Sequence, residues 1–138
     1  MSRDAATLLG FDYGTKRIGV AVGQTLTGTA TPIETLRTRG SQPDWAAVGR
    51  LIEQWQPDAL VVGLPLNMDG SEQELTHRAR RFTNQLHGRF RLPVHMSDER
   101  LSTKEARARA GQSATELDAV AAQVILETWM ADTTRKHD

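Results

Sequence analysis

Acidic residues follow two apolar stretches of the chain at the points where each stretch ends. Asp12 follows Leu8-Leu9-Gly10-Phe11 at the start of a glycine-containing turn, and Asp98 and Glu99 follow the stretch from Pro93 to Ser97. The carboxyl ends of parallel strands meet at one edge of a sheet, and ligands commonly bind outside that edge. We therefore expect carboxylates from both stretches to lie together there.

Asp118 is a third candidate, and its position follows from helical geometry. With the polar residues Glu116, Gln123 and Glu127 taken as the solvent face of the last predicted helix, a turn of ~100° per residue places Asp118 ~140° from Gln123 and ~180° from Glu127. Asp118 then shares the sheet-facing side with Ala121, Ala122, Ile125 and Trp129. An unpaired carboxylate on that side costs several kcal/mol unless a cation compensates it.

Each acid also has a simpler interpretation. Asp12 can cap the turn, Glu99 can pair with a neighbouring arginine, and Asp118 can complete a capping box begun by Thr115. Taken together, three converging carboxylates without cysteine or a helical histidine pair suit hard divalent ions, Mg²⁺ or Mn²⁺. Two such ions ~4 Å apart can activate a water and stabilise the leaving oxygen in phosphodiester cleavage. The four histidines are scattered, and we interpret them as surface or hydrogen-bonded residues.

Basic residues are concentrated in one window although the total charge is balanced. The chain has 17 basic and 17 acidic residues, yet nine basic and three acidic ones lie between positions 78 and 109. Fourteen of the basic residues are arginine, which binds phosphate through two parallel donors. The window indicates a nucleic-acid surface and leaves open a set of solvated helix faces. Arg78 and Arg81 share one helix face by their spacing and are candidate phosphate contacts.

Length and composition bound the remaining classes. A chain of 138 residues with 38% apolar residues is expected to form a single domain over 1–138, with loose ends at 1–6 and 131–138. The absence of cysteine excludes disulfide scaffolds, thiolate zinc sites and cysteine nucleophiles. The longest apolar stretch, Ala59 to Met68, is too short and too interrupted for a bilayer span. The N-terminus lacks a signal core, so we expect a cytoplasmic protein without a membrane contact.

Hydrophobic periodicity, helix-capping residues and helix- or strand-breaking residues predict the elements that must position the acids. We predict strands at Thr7–Asp12, Ile18–Val22, Thr29–Leu36, Ala59–Leu64 and Pro93–Ser97, and helices at Asp44–Trp55, Ser71–His87, Ser102–Ala110 and Thr115–Met130. Capping boxes, Ser71 with Glu74 and Ser102 with Glu105, begin two of the helices. The order is βββαβαβαα, which predicts an α/β fold whose mixed sheet has three hairpin-fed strands and two parallel strands, flanked by helices.

Strand alternation separates the two neighbouring acids. If the strand from Pro93 continues, Val94, Met96 and Asp98 face one side, and His95, Ser97 and Glu99 face the other. Only one of the two acids can then face the expected metal site, and alternation does not say which.

Four segments of the chain resemble the YqgF family. They are Gly10-Phe11-Asp12-Tyr13-Gly14-Thr15-Lys16-Arg17-Ile18-Gly19-Val20-Ala21, Val62-Gly63-Leu64-Pro65-Leu66-Asn67-Met68-Asp69-Gly70, Asp98-Glu99-Arg100-Leu101-Ser102-Thr103, and Asp118 with Ala121-Ala122 and Ile125-Leu126. Members of this family are named as nucleases of pre-16S ribosomal RNA or as Holliday junction resolvases. The resemblance covers roughly residues 7 to 130 and implies an RNase H-like fold.

The resemblance also implies a site. It places the family's catalytic and metal-binding acids on Asp12, Glu99 and Asp118, and so favours Glu99 over Asp98. Lys16, Arg17 and Arg100 adjoin these acids in the sequence and are expected to contact phosphates. One departure is that the segment between the Asp-Glu-Arg motif and Asp118 is shorter than is usual in the family and lacks basic residues in its second half.

The leading interpretation is a two-metal-ion nuclease acting on pre-ribosomal RNA or on branched DNA, as a monomer or a homodimer. A non-catalytic nucleic-acid-binding module is the main alternative, although a pure binder has no physical reason to keep three acids on a buried face. An actin-like phosphotransferase shares the Asp-x-Gly-Thr turn. That class needs two lobes around its nucleotide, and the chain is long enough for one.

Overall fold

The structure is a computed structural model that describes residues 5–40, 42–99 and 114–136. Its elements follow one another as βββαβαβα, and the predicted helix from Ser102 to Ala110 lies outside the described residues. The strands are β1 (Thr7–Tyr13), β2 (Arg17–Gln24), β3 (Thr29–Arg37), β4 (Ala59–Leu64) and β5 (Val94–Asp98), and the helices are α1 (Trp45–Trp55), α2 (Glu74–Phe90) and α3 (Ala114–Lys136).

The five strands form one mixed sheet in the order β3-β2-β1-β4-β5. β1 and β2 are an antiparallel hairpin, while β1, β4 and β5 run parallel to one another. β3 lies at the edge, and its pairing with β2 is irregular between Val20 and Ala21, opposite Pro32. The predicted hairpin-fed mixed sheet is therefore confirmed, and the carboxyl ends of β1, β4 and β5 meet at one edge.

The two faces of the sheet are covered by different helices. Because side chains alternate along β1, Leu9, Phe11 and Tyr13 lie in a core under α1 and α2. Each of the four other strands also contributes large apolar side chains to this core. Leu8 and the residues of β1 in phase with it face α3. Here the other strands contribute mostly small side chains, and α3 supplies large ones such as Ile125 and Leu126. No helix in the described part of the chain is long and apolar enough to cross a bilayer.

Helix α2 begins two residues later than the capping box at Ser71 predicts. The backbone N–H and the hydroxyl of Ser71 both bind Asp69, at 2.9 and 2.6 Å, and so close the turn before the helix. Gln73 is the N-cap instead, and its N–H donates to the Thr76 hydroxyl oxygen at 3.0 Å. The Thr76 hydroxyl in turn donates to the carbonyl of Pro65, which ties the start of α2 to the loop after β4.

Helix α3 corrects the assignment of its solvent face. Gln123 donates from Nε2 to the Ala30 carbonyl at 2.9 Å, and Glu127 accepts from the Ala30 N–H at 3.2 Å. Neither side chain belongs to a solvent face, because both satisfy backbone groups of the edge strand β3; the side chain of Glu116 lies outside the described part. The sheet-facing position of Asp118 holds, and the helix continues past the predicted end at Met130 to Lys136.

Candidate active site

Asp12 lies near the carboxyl end of β1 with its side chain on the α3 face of the sheet. Its cross-strand partner on β2 is Gly19, and partners in an antiparallel pair point to the same face. A Cβ on Gly19 would collide with the backbone of Asp118. The missing side chain therefore lets the first part of α3 lie directly on β2, beside Asp12.

Glu99 reaches the same place from the end of β5, two strands away from β1 on the same face of the sheet. Its N–H donates to the Leu64 carbonyl at 3.2 Å, which extends the pairing of β4 and β5 by one residue. Its carboxylate then crosses β4 above Gly63, where a Cβ would lie 2.5 Å from Glu99 Oε2. Because Gly63 leaves this space, the Glu99 side chain hydrogen-bonds Asp12 on β1.

The structure separates Glu99 from Asp98 as alternation requires. Ser97 and Glu99 are both buried, whereas Asp98 is exposed on the other side of the strand. His95, in phase with Glu99, stacks on Trp129 of α3 with ring centroids 4.9 Å apart. Glu99 is therefore the acid that shares a face with Asp12 and α3.

Burial changes the protonation of the acid pair. Desolvation raises the pKa of Asp12 to about 6, against a smaller lowering by the hydrogen bond with Glu99, and the Asp118 charge adds to the rise. Desolvation and the charge of Asp12 raise the pKa of Glu99 to about 9. Near neutral pH Glu99 therefore carries a proton and donates it to ionised Asp12, so the pair holds one negative charge.

Asp118 is held by a cation at the same edge. Arg17 donates from Nε to Asp118 Oδ2 at 2.6 Å, and the two side chains are 37% and 20% exposed. Arg17 begins β2 directly after the β1–β2 turn, so it lies at the edge that carries Asp12. The structure therefore brings all three predicted acids to one region, with Asp118 turned towards Arg17.

These residues fit a hard divalent cation by their chemistry. Within residues 5–40, 42–99 and 114–136, no three acids or imidazoles converge closely enough to enclose an ion, and Asp118 is engaged with Arg17. Half-buried Asp12 and buried Glu99, however, are hydrogen-bonded carboxyl groups that need a proton or a cation between them. A divalent ion satisfies the same requirement as the proton, and Asp118 is close enough for its charge to act on Asp12.

The other predicted contacts are spread over the molecule. Lys16 is exposed in the β1–β2 turn, beside the acids, while Arg100 lies outside the described residues. Arg78 and Arg81 are on α2, which covers the opposite face of the sheet, and they line a separate cleft.

Gly19 and Gly63 were not among the predicted site residues. A glycine inside a buried strand pattern signals a close approach of another group, and this signal was present in both motifs.

Comparisons with known proteins give the chain's family. The family described as "RuvX: Holliday junction resolvase" matches residues 6–132. A protein of Aeromonas hydrophila described as "Putative pre-16S rRNA nuclease" is 55% identical over 133 residues, covering 91% of this chain and 95% of that protein. One of Azotobacter vinelandii with the same description is 52% identical over 132 residues, covering 91% and 93%.

Two solved structures share the fold. RuvC of Thermus thermophilus in complex with a Holliday junction substrate has a TM-score of 0.56 at 17% identity, covering 94% of this chain and 96% of that one. The yeast mitochondrial Holliday junction resolvase Ydc2 has a TM-score of 0.57 at 10% identity, covering 94% and 80%. The expected RNase H-like fold is thus confirmed, as is the resemblance drawn from the motifs: the chain belongs to the RuvX (YqgF) family, whose matching model is described as Holliday junction resolvase.

Proposed function

We propose that the chain is a divalent-metal-dependent endonuclease that processes the 5′ end of pre-16S ribosomal RNA. The observation that carries the proposal is the pair of carboxylates, half-buried Asp12 and buried Glu99, that meet above Gly63 beside Asp118. The names of relatives that are 52–55% identical over most of the chain support ribosomal RNA as the substrate. The proposal assigns the protein to the cytoplasm, where ribosomal RNA is made.

In this proposal Asp12, Glu99 and Asp118 would hold Mg²⁺ or Mn²⁺, in a two-ion arrangement. Bound ions of this kind activate a water and stabilise the leaving oxygen. Binding requires Glu99 to lose its proton, so Glu99 acts as an ion ligand only after deprotonation. Burial by α3 limits the water around the carboxylates and strengthens their electrostatic effect on the phosphate.

Basic residues at the same edge position the substrate in the proposed mechanism. Lys16 extends from the β1–β2 turn and contacts a flanking phosphate. Arg17 holds Asp118 through Nε, and its terminal amino groups meet the phosphate that is cleaved. Arg100, next to Glu99 in the sequence, is assigned the same kind of contact.

The second candidate function is Holliday junction resolution. The family description favours it, and the same acids would serve both reactions. A resolvase cuts two strands and is expected to act as a homodimer, whereas trimming of an RNA end needs one copy. The mass of the protein in solution, measured by sedimentation with each substrate, therefore separates the two candidates.

The decisive experiment is a cleavage assay on a precursor 16S ribosomal RNA and a four-way DNA junction, with Mg²⁺ or Mn²⁺. Asp12→Asn, Asp118→Asn and Glu99→Gln should each lower the cleavage rate by about 100-fold or more, because charge stabilisation is lost. Asp98→Asn is the matched control beside Glu99 and should cost a few-fold at most. Cleavage at the wild-type rate by Asp118→Asn would remove Asp118 from the mechanism, and a larger loss in Asp98→Asn than in Glu99→Gln would reverse their assignment.

A further inference from the structure

A cleft of about 280 Å³ lies between α2 and the segment that precedes α1. It opens on the side of the sheet that α1 and α2 cover, and so it is separate from the acid pair under α3. The side chains that give it its chemistry are Tyr13, Gln42, His77, Arg78, Arg81 and Gln85.

The cleft carries a positive charge that its own acid offsets only in part. Glu74 is at the rim, with Oε2 3.8 Å from Arg78 Nε and a side chain that is 80% exposed. No carboxylate of the described residues lies within ion-pair distance of Arg81. Its neighbour Arg80 is different, since it is bound by both oxygens of Glu72 at 2.7 and 3.1 Å. The helix therefore pairs the arginine that points away from the cleft and leaves Arg81 available within it.

Tyr13 adds a second, independent feature. Its side chain is 7% exposed, and its ring packs on Phe82 with centroids 5.1 Å apart. Within the described part of the chain, no side chain or backbone group hydrogen-bonds its hydroxyl. The hydroxyl is open to solvent, so in the free protein water reaches it through the cleft that Tyr13 lines. A ligand in the cleft can replace that water as the hydrogen-bond partner.

The position of Tyr13 connects the cleft to the acid pair. Tyr13 follows Asp12 on β1, and consecutive residues of a strand point to opposite faces. Their Cα atoms are separated by one peptide unit, ~3.8 Å. The end of β1 is thus the shortest route along the backbone between the two faces, and a strand of nucleic acid with one phosphate at Asp12 can continue over it towards the cleft.

We infer that this cleft binds one phosphate, with its sugar, of a single strand of nucleic acid that continues from the phosphodiester bond held at Asp12 and Glu99. This inference rests on the proposed nuclease function. Arg78 and Arg81 offer planar donors that match a phosphate, and the Tyr13 hydroxyl and the Gln42 and Gln85 amides offer neutral hydrogen bonds. The volume is at the lower limit of ~300 Å³ for small-molecule sites, which admits one nucleotide unit and excludes a duplex.

Binding of fluorescent oligonucleotides, measured by anisotropy in EDTA so that no cleavage occurs, tests the inference. The probes are short single-stranded RNA, DNA of the same sequence, and the blunt duplex. Arg78→Gln/Arg81→Gln should weaken single-strand binding by about tenfold at ~50 mM salt and reduce the salt slope by ~0.7 per lost phosphate contact. Tyr13→Phe should weaken it ~2–10-fold without changing the slope, because a neutral hydrogen bond is lost.

The matched control is Arg50→Gln/Arg80→Gln, which removes the same charge from two exposed arginines that bind Glu34 and Glu72. It should change single-strand binding less than twofold. The inference would be overturned if both double variants lost the same affinity, or if the loss were confined to the duplex or to RNA. It would also be overturned if free adenosine monophosphate displaced the oligonucleotide with equal affinity, or if the wild type did not bind the probes.

Cross-linking gives a second readout that does not depend on affinity. The chain has no cysteine, so a single introduced cysteine can be labelled with a thiol-reactive benzophenone. Gln85→Cys places the label inside the cleft, and Leu26→Cys places it on the β2–β3 turn at the opposite end of the sheet. The single-stranded probe should cross-link to position 85 and not to position 26, and the reverse pattern would refute the cleft. Cleavage of the same probe with Mg²⁺ is measured separately, so that an inactive wild type that still cross-links at position 85 would refute the proposed nuclease and leave the cleft intact.

Discussion

The two faces of the sheet differ in what they place against their helices. Under α1 and α2 the sheet presents large apolar groups, and Phe82 of α2 lies with its ring centroid 5.6 Å from those of both Phe11 and Trp45. Under α3 the strands present glycine at positions 10, 19, 23 and 63, and the acids Asp12 and Glu99 lie on this side.

This difference separates the source of stability from the site of chemistry. Large buried side chains remove the most apolar area from water and so contribute most of the hydrophobic stabilisation. Glycine in a strand contributes none and costs conformational entropy. Because glycine has no side chain, other groups can lie close to its backbone. Asp118 therefore packs onto β2 at Gly19, and the Glu99 side chain crosses β4 at Gly63. We expect substitutions on the first face to change stability and those on the second to change cleavage.

Leu51→Ala on α1 should have the largest effect on stability. Leu51 is buried in the core of the first face, and the cavity left behind costs about 4 kcal/mol. Urea unfolding measures this loss, while the cleavage rate below the transition should stay within a few-fold of the wild type. Leu26→Ala is the control, because Leu26 is 75% exposed and should change stability by less than ~0.5 kcal/mol. A loss of cleavage in folded Leu51→Ala would contradict the separation of the two faces.

Gly19→Ala should affect both properties. The new Cβ meets the backbone of Asp118, which no rotamer change relieves, so α3 must move, at a cost of about 3 kcal/mol. Cleavage should fall with it because Asp118 is displaced. Gly23→Ala on the same strand is the matched control: its Cβ lies 3.2 Å from Leu126 Cδ1 and 3.3 Å from Met130 Cε, side-chain ends that can shift. Equal effects in the two variants would rule out the special role of Gly19.

Gly63→Ala tests the space that Glu99 uses. Its Cβ would overlap Ile125 Cδ1 and lie 2.5 Å from Glu99 Oε2, so the carboxylate must shift from its position against Asp12. We expect a loss of about 100-fold in kcat, equivalent to ~2.7 kcal/mol. Gly10→Ala provides the control, because its Cβ meets Leu126 and no acid. It should lower stability and leave kcat within several-fold, and an equal loss of kcat in both would show that strain alone is responsible.

The acid pair predicts how the stability of the metal-free protein depends on pH. The pKa of Asp12 rises from 3.8 to about 6 and that of Glu99 from 4.5 to about 9 on folding. The folded chain therefore binds more protons than the unfolded chain. The stabilisation that this gives is complete at pH values below the pKa values of the unfolded chain, and it is lost as the pH rises through the pKa values of the folded chain. We expect Tm in EDTA to fall steadily as the pH rises over this range, and Mg²⁺ to raise it more at high pH than at low pH.

Glu99→Gln should flatten that profile because it removes the group with the larger rise in pKa. Glu53→Gln, at an exposed position of α1, should keep the wild-type slope. A profile that rises with pH in EDTA, or one that Glu99→Gln leaves unchanged, would show that the acid pair does not control it.

Gly49→Ala should have the smallest effect and the opposite sign. Gly49 lies inside α1 on the first face, and its Cβ would make ordinary contacts with the Phe90 ring at 3.6 and 3.9 Å. Alanine favours a helix over glycine by ~0.5–1 kcal/mol. Thermal unfolding should show a small stabilisation with unchanged cleavage, and a destabilisation would mean that α1 packs more tightly than its contacts indicate.

Local patterns in the sequence predicted the strands, the hairpin and the edge that carries Asp12, because each depends on residues close together in the chain. The space above Gly63 was not predictable in this way, since it depends on the register of β4 against both β1 and β5. Strand alternation alone left the choice between Asp98 and Glu99 open, because it depends on the face that α3 covers, which is likewise a tertiary property; the family resemblance favoured Glu99. Asp118 was placed correctly from a wrong premise, because Gln123 and Glu127 bind β3 rather than water.

The contacts of α3 with Ala30 also have a consequence for association between chains. An edge strand exposes backbone groups that a strand of another molecule can pair with, which is a common beginning of aggregation. At Ala30 both outward groups are already bound, the N–H by Glu127 and the carbonyl by Gln123. An added strand would have to break both bonds at once. Two side chains of one helix thus occupy the start of this edge, in the place that a sixth strand would take, and a neighbouring strand cannot pair there.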